Sequence, residues 1–258
     1  MLHQISRYLK FTNGPQIILN RLFFKTTGPT IYRHSELTFL VDHDSGDQDG
    51  PRACVHPGLY DPFLAATGLA GGVRFIDLGA NAGGFILAML KAGFRMDQGI
   101  AVELNPLTWS RLVYNVYRNV PSAKNRISLM NGAVSGTGGT LDIRLGGGGV
   151  GDNIGGTETG ELYHLEKFTL PNLLGKMGEG RIDLLKIDIE GSEYELLDIP
   201  ADTLRPIDWL LIEIHDLPGC DPSEVFQWIE SCGFEGVEPS TKPIESNVFL
   251  FRNKNAPQ

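Results

Sequence analysis

The segment RFIDLGANAGGFILAML, residues 74–90, decides the fold of this chain. It begins inside an apolar run, 73–78, that is rich in β-forming residues and predicts a buried strand. Glycines follow, and apolar residues at helical spacing then predict a helix that ends at Gly93. A strand that leads through a glycine loop into a helix places backbone N–H groups at the carboxyl edge of a sheet. This geometry suits a cofactor that contains a nucleoside.

The spacing within the loop narrows the choice of cofactor. Dinucleotide folds carry G-x-G-x-x-G, but the residue two positions after Gly79 is Asn81. The pattern here is Asp-x-Gly-x-x-x-Gly, from Asp77 to Gly83. Without the middle glycine, a pyrophosphate would meet a side chain where it needs bare backbone. The acidic-x-Gly-x-x-x-Gly form resembles the first motif of S-adenosylmethionine-dependent methyltransferases.

A second strand, 99–103, ends at Glu103, and Asn105 and Pro106 then open a helix. A carboxylate at the tip of the second strand suits both ribose hydroxyls, in NAD-binding folds and in methyltransferases alike. An ordinary βαβ unit with a chance acidic residue is the alternative. The matched loop, spacing and acid favour a cofactor site.

Length and composition limit the classes of protein. The 258 residues suffice for one large α/β domain, 71–253, preceded by an extension, 1–70. The net charge is −9 without a run of basic residues, which argues against nucleic acid as the main partner. No apolar run approaches the ~18 residues of a membrane span, and we recognise no signal peptide, so a cytoplasmic location is expected. The three cysteines show no metal or disulfide spacing.

The extension predicts one or two short amphipathic helices, a small hairpin over 30–41, and a helix over 62–69. It could act as a lid over the cofactor, as an arm in a homo-oligomer, or as cladding of the core. The glycine-dense stretch 146–160 lacks lysine and a βα context, so it is not a phosphate loop. It is either a mobile loop over the substrate or a surface connection.

Strands alternate with helices from residue 73 onward, which predicts a mostly parallel sheet with helices on both faces. Seven strands are predicted, over 73–78, 99–103, 126–131, 140–145, 181–190, 208–215 and 247–251.

Two of these strands carry charges where a buried strand should have none. Alternation places Lys186, Asp188 and Glu190 on one face of their strand, and Glu213 and His215 on one face of the next. Such groups either pair with one another or line a wet cleft at the carboxyl edge. We expect Lys186 to pair with Glu213. Asp188, Glu190 and His215 lie further along and are better placed for chemistry.

The run LKIDIEGSE, 185–193, followed by LIEIH, 211–215, and preceded by Phe168-Thr-Leu, resembles the FkbM family of S-adenosylmethionine-dependent methyltransferases. The resemblance covers roughly residues 73–251 and implies a Rossmann-like class I methyltransferase fold. One departure concerns Leu170-Pro171, where the family often has Leu-Asp.

The resemblance also implies a set of cofactor-binding residues. Glu103 should hold the ribose, Ala133 should lie near the adenine, and Asp188 should sit beside the transferring methyl. The loop residues should surround the methionine end of the cofactor, and they are Asp77, Gly79, Ala80, Asn81 and Gly83.

We therefore expect an O-methyltransferase that acts on a small molecule or a sugar hydroxyl. Because a hydroxyl needs a base, His215 is the first candidate, since its ordinary pKa is nearest neutrality; Asp188 and Glu190 are the alternatives. Carboxylates could hold a divalent ion, but no ligand set emerges and no metal is expected. An NAD(P)-dependent oxidoreductase, or a non-catalytic protein that keeps the fold, are the competing hypotheses.

Overall fold

The structure is a computed structural model that describes residues 6–23, 28–46, 50–146, 156, 160–240 and 247–256. Its strands are β1 Pro29–His34, β2 Leu37–Asp42, β3 Gly72–Leu78, β4 Arg95–Glu103, β5 Ile127–Val134, β6 Gly139–Leu145, β7 Glu161–Phe168, β8 Ile182–Ile187, β9 Ile207–Glu213, β10 Phe234–Val237 and β11 Val248–Asn253. Its α-helices are α1 Gly14–Phe23, α2 Pro51–Val55, α3 Asp61–Thr67, α4 Gly84–Lys91, α5 Pro106–Asn119, α6 Leu170–Met177 and α7 Pro222–Ser231.

One large sheet, in the order β10-β11-β9-β8-β3-β4-β5-β7-β6, forms the centre of the molecule. The six strands from β9 to β7 pair in parallel, and the other three are antiparallel at the edges. This confirms the α/β, Rossmann-like, mostly parallel fold. The sheet has nine strands rather than the predicted seven, because β7 and β10 were missed. Only Leu165 and Phe168 of β7 are buried, so its sequence lacks a clear apolar pattern, and β10 has only four residues.

Both faces of the sheet are covered, as the parallel pairing predicts. Successive strand residues alternate between two apolar clusters, so that Phe75 faces one cluster and Ile76 the other. The first cluster contains residues of α4 and α5, and the second contains residues of α6 and α7. The core therefore fixes the carboxyl ends of β3, β4, β8 and β9 along one edge.

Helix caps near this edge confirm part of the sequence analysis. The Asn105 side chain accepts a hydrogen bond from Leu107 N at the start of α5, with Pro106 in the first turn. Ser192 caps no α-helix, although its position after Gly191 and before an apolar segment is typical of an N-cap. Residues Ser192–Leu196 form a short 3-10 helix, and the buried Ser192 hydroxyl has no hydrogen-bond partner within the described residues.

The N-terminal extension packs onto α5. The predicted hairpin is confirmed by the antiparallel pair β1–β2. The buried Asn115 side chain accepts from Leu40 N at 2.6 Å and donates to Leu40 O at 3.1 Å and to Ala82 O at 2.7 Å. One amide thus joins the hairpin to the glycine loop. Residues 147–155 and 157–159 lie outside the described part of the chain, so the predicted substrate loop there stays a prediction. No helix among the described residues could cross a membrane.

Candidate active site

The glycine loop between β3 and α4 turns through three left-handed residues, Gly79, Asn81 and Gly83, with φ of 74°, 48° and 87°. Asn81 is stabilised there by its own side chain, which accepts from Ala82 N at 2.6 Å. At Gly79 a Cβ would lie 1.6 Å from the backbone oxygen of Asp188. The glycine at this position therefore allows a close approach to the end of β8, which ties the loop to the acidic edge of the sheet.

Glu103 ends β4 and is 7% exposed. Its Oε2 accepts from Asn81 N at 2.9 Å, and its Oε1 accepts from Asn105 N at 2.9 Å. The carboxylate thereby bridges the glycine loop and the start of α5. A carboxylate at the tip of the second strand of such a fold is the group that accepts hydrogen bonds from ribose hydroxyls. The residues present fit a nucleoside cofactor in this respect.

A buried ion-pair group lies behind the loop. Lys186 Nζ lies 3.0 Å from Asp188 Oδ2 and 3.4 Å from Asp77 Oδ1, and it donates to Gly79 O at 2.8 Å. Burial raises the pKa of Asp77 above its ordinary value. Burial acts to lower the pKa of Lys186, but Asp188 outweighs it, together with Tyr60 and Asp77, and the pKa stands well above its usual value. The expected pairing of Lys186 with Glu213 is wrong, because Asp77 on the neighbouring strand β3 is directly opposite in register.

His215 lies among four carboxylates. Its Nδ1 is 2.8 Å from Glu193 Oε1, which is fully buried. Its Nε2 is 3.4 Å from Glu190 Oε2, 3.9 Å from Glu213 Oε1 and 4.0 Å from Asp188 Oδ1. The structure thus brings together the three residues predicted to be catalytic.

The surroundings of His215 overturn the reason for which it was chosen. The hydrogen bond to Glu193 raises the pKa of His215 to about 9, although burial opposes this, and the charges of Glu193, Glu190 and Glu213 add to the rise. The imidazole is therefore protonated at neutral pH. Sequence reasoning missed Glu193 as its partner. The signal was the third carboxylate of the 185–193 run, which comes after the turn at Glu190 and Gly191.

Asp188 and Glu190 lie beyond the end of β8 at Ile187, and Glu190 is in the turn that follows. This corrects the predicted 181–190 strand. Glu190 has φ 52° and is followed by Gly191 with φ 99°. A non-glycine residue in the left-handed region is strained, and such residues cluster at functional sites. The turn brings the Glu190 carboxylate to the imidazole of His215, which itself lies beyond the end of β9.

The predicted adenine region lies at the end of β5. Ala133 is buried, as is Ala80 of the loop. Ser135, just after the strand, donates to Glu195 Oε2 at 2.7 Å, and Gly136 N donates to the same oxygen at 3.1 Å. Glu195 comes from the 3-10 helix that also carries Glu193. One short element therefore supports both the predicted adenine region and His215.

Three of these side chains could hold a metal ion. Ligand atoms of Asp188, Glu213 and His215 all lie within 4.8 Å of one another. Burial raises the pKa of Glu213, and Asp188 adds to this, while His215 opposes it. Carboxylate oxygens and an imidazole nitrogen suit several divalent cations. The expectation that the site works without a metal stays a prediction.

A parallel sheet with this loop after β3 and an acidic residue at the tip of β4 defines the class of Rossmann-like folds that suit a nucleoside cofactor. Within that class, the chain belongs to the methyltransferase FkbM domain family, whose model matches residues 77–235. No curated protein matches the sequence.

The chain is similar to several solved structures at low sequence identity. A methyltransferase FkbM from Methylobacillus flagellatus KT is 14% identical with a TM-score of 0.49; the match covers 71% of this chain but only 44% of that one. The METTL16 methyltransferase domain is 12% identical with a TM-score of 0.50, over 93% of this chain and 77% of that one. Magnesium protoporphyrin IX methyltransferase from Synechocystis PCC 6803 is 11% identical with a TM-score of 0.45, over 80% and 83%. Likenesses at such identity concern the fold alone.

Proposed function

We propose that the protein transfers a methyl group from S-adenosylmethionine to a hydroxyl group of a small molecule or a sugar. The observation that carries this proposal is the pair formed by His215 and the buried Glu193 at 2.8 Å, at the same sheet edge as the glycine loop. A histidine held by a carboxylate is the arrangement of an oriented general base. Hydroxyl acceptors need such a base, because a neutral hydroxyl is a weak nucleophile.

In this proposal the loop and the strand tips hold the cofactor. Glu103 accepts hydrogen bonds from the ribose hydroxyls while it keeps the loop and α5 in place. When bound, S-adenosylmethionine supplies an electrophilic methyl group on a sulfonium. The remaining cofactor contacts are assigned to Asp77, Gly79, Ala80, Asn81, Gly83, Ala133 and Asp188, with Asp77 acting through Lys186 because it is fully buried.

His215 Nε2 takes the proton of the acceptor, and Glu193 orients the ring through Nδ1. Asp188 and Glu190 lie within 4.0 Å of Nε2 and orient the acceptor hydroxyl toward it. The resting imidazole must first lose its own proton. A positive charge brought to the site lowers the pKa of a nearby histidine, since like charges repel. A sulfonium at this sheet edge therefore favours the basic form of His215.

Calorimetric titration with S-adenosylmethionine, with NADH in parallel, tests the proposal. Glu103→Ala is expected to weaken binding of the methyl donor by tenfold or more, whereas Asp97→Ala is the matched control. Asp97 is a carboxylate on the same strand, β4, but it lies near the amino end and pairs with Arg95. Thermal melting of both variants separates lost binding from lost folding.

The other outcomes decide between the competing functions. Preferential binding of NADH would overturn the methyltransferase proposal in favour of an oxidoreductase. Binding of S-adenosylmethionine without methyl transfer to a broad panel of hydroxyl compounds would favour a non-catalytic protein. Transfer to an amine acceptor would keep the cofactor assignment and overturn O-methylation.

A further inference from the structure

The helix α1 has an apolar outer face. Its Ile17 is buried, whereas Leu19, Leu22 and Phe23 are 51%, 57% and 72% exposed. Their spacing of three and four residues places these side chains on one side of the helix. Leu9, in the segment just before, is 57% exposed. Half of the eight large apolar side chains that are exposed in the described residues therefore lie within 15 consecutive positions.

The segment that carries Leu9 lies against α1. The guanidinium of Arg21 is 5.7 Å from the ring of Tyr8, and a Cβ at Gly14 would meet the backbone oxygen of Tyr8 at 2.0 Å. The inner side of both segments joins a buried cluster with the hairpin, which contains Phe11, Ile17, Tyr32, Phe39 and Val41. Because the inner side is held in this way, α1 cannot rotate its apolar outer face into the core.

The charge of this region is opposite to that of the rest of the chain. Residues 1–33 contain five basic residues and no acidic residue. The remaining 225 residues contain 17 basic and 31 acidic residues, a net charge of −14. Among the five basic residues, Arg7, Lys10 and Arg33 are exposed. An apolar surface that is combined with basic residues and no acids is typical of a segment that lies in a membrane interface.

We propose that this surface, formed by Leu9, Leu19, Leu22 and Phe23 with Arg7 and Lys10, binds an anionic lipid surface. The apolar side chains enter the boundary between headgroups and acyl chains, and the basic side chains contact the anionic headgroups. The acidic remainder of the molecule is repelled by the same headgroups, which orients it away from the lipid. A second copy is a poorer occupant, because a two-fold contact would bring identical basic surfaces together.

Sedimentation with vesicles tests this proposal independently of cofactor binding. The wild type is expected to pellet with vesicles of phosphatidylcholine mixed with phosphatidylserine, and not with phosphatidylcholine alone. The double variant Leu22→Ser/Phe23→Ser is expected to stay in the supernatant. Arg7→Gln/Lys10→Gln should weaken binding about fivefold for each charge removed, and salt should weaken the wild type likewise. Leu162→Ser, at an exposed leucine on β7, is the matched control and should bind as the wild type.

Three results would overturn the proposal. They are no pelleting of the wild type, equal binding to both kinds of vesicle, and lipid binding that survives the Leu22→Ser/Phe23→Ser change. Light scattering distinguishes lipid binding from association with a second copy of the chain. A wild-type dimer that the double variant converts to a monomer, without lipid binding, would assign the surface to a second copy. Since the substituted side chains are exposed, unchanged melting temperatures are expected, and they show that any loss of binding is local.

Discussion

Replacing Glu193 by glutamine is expected to move the pH dependence of methyl transfer. Glu193 accepts from His215 at 2.8 Å, and this hydrogen bond is the main reason why the pKa of His215 is raised from 6.5 to about 9. Glutamine keeps the size of the side chain and removes its charge. The pKa of His215 should then fall toward its ordinary value. Measured as kcat/KM for S-adenosylmethionine, the pH profile reports the enzyme before the methyl donor is bound.

The size of the effect follows from the fraction of unprotonated imidazole. With a pKa of about 9, that fraction is about one in a hundred at pH 7 and one half at pH 9, so kcat/KM should rise about fifty-fold between them. In Glu193→Gln, a pKa near the ordinary 6.5 leaves most of the imidazole unprotonated at pH 7. In this variant kcat/KM should therefore be constant above pH 7, and its rise with pH should move to about pH 6 to 6.5.

Two further variants make the test decisive. His215→Ala should abolish the rise and lower the rate by about 10²- to 10⁴-fold, the usual contribution of a general base. Glu195 is on the same 3-10 helix but contacts Ser135 and not His215. In Glu195→Gln the rise of kcat/KM should therefore stay near pH 9. If the rise stays near pH 9 in Glu193→Gln, or survives in His215→Ala, another group is the base and the reasoning is refuted.

Three further predictions concern the support of the site. Gly79→Ala should lower the free energy of unfolding by about 1–3 kcal/mol and weaken donor binding, because the added Cβ would clash with the Asp188 backbone and alanine is strained at a φ of 74°. Melting temperatures with and without S-adenosylmethionine measure both effects, and unchanged melting temperatures would contradict the geometry. Lys186→Met should lower the free energy of unfolding, measured in urea, by about 3–5 kcal/mol, because it leaves Asp77 and Asp188 without their shared cation. A smaller decrease would mean that water reaches the two carboxylates. Methyl transfer should persist in EDTA, because the proposed base, His215, and the carboxylates that orient the acceptor belong to the chain itself. Loss of activity that Mg²⁺ restores would instead assign an ion to Asp188, Glu213 and His215.

The sequence alone was sufficient to predict the helices, strands and loops whose residues carry strong local signals. The loop after β3 combines a β-rich apolar run, glycines and helical spacing, and each of these signals predicts the same βα unit. The position of Glu103 followed from the same pattern, and the structure places it at the tip of β4 as expected. The β1–β2 hairpin was likewise predicted from alternation alone.

The arrangement of charges depended on features that alternation does not encode. Period two holds only while a strand continues, and β8 ends at Ile187, so the turn at Glu190 and Gly191 sets where the following carboxylates point. The partner of Lys186 was set by the register between β8 and β3, which is a long-range property. The pKa of His215 depended on Glu193, whose burial arises from packing of the 3-10 helix. Contacts between separate elements decided each of these outcomes.

The three hydrogen bonds of Asn115 have a consequence for how this chain can be altered. The amide serves the hairpin through Leu40 and the glycine loop through Ala82 at the same time. A shortened chain that starts at residue 71 would leave part of that buried amide without partners, directly beneath the loop. The extension and the loop therefore have to change together, and transplanting the methyltransferase portion onto another protein would require either the first 70 residues or a substitute at residue 115.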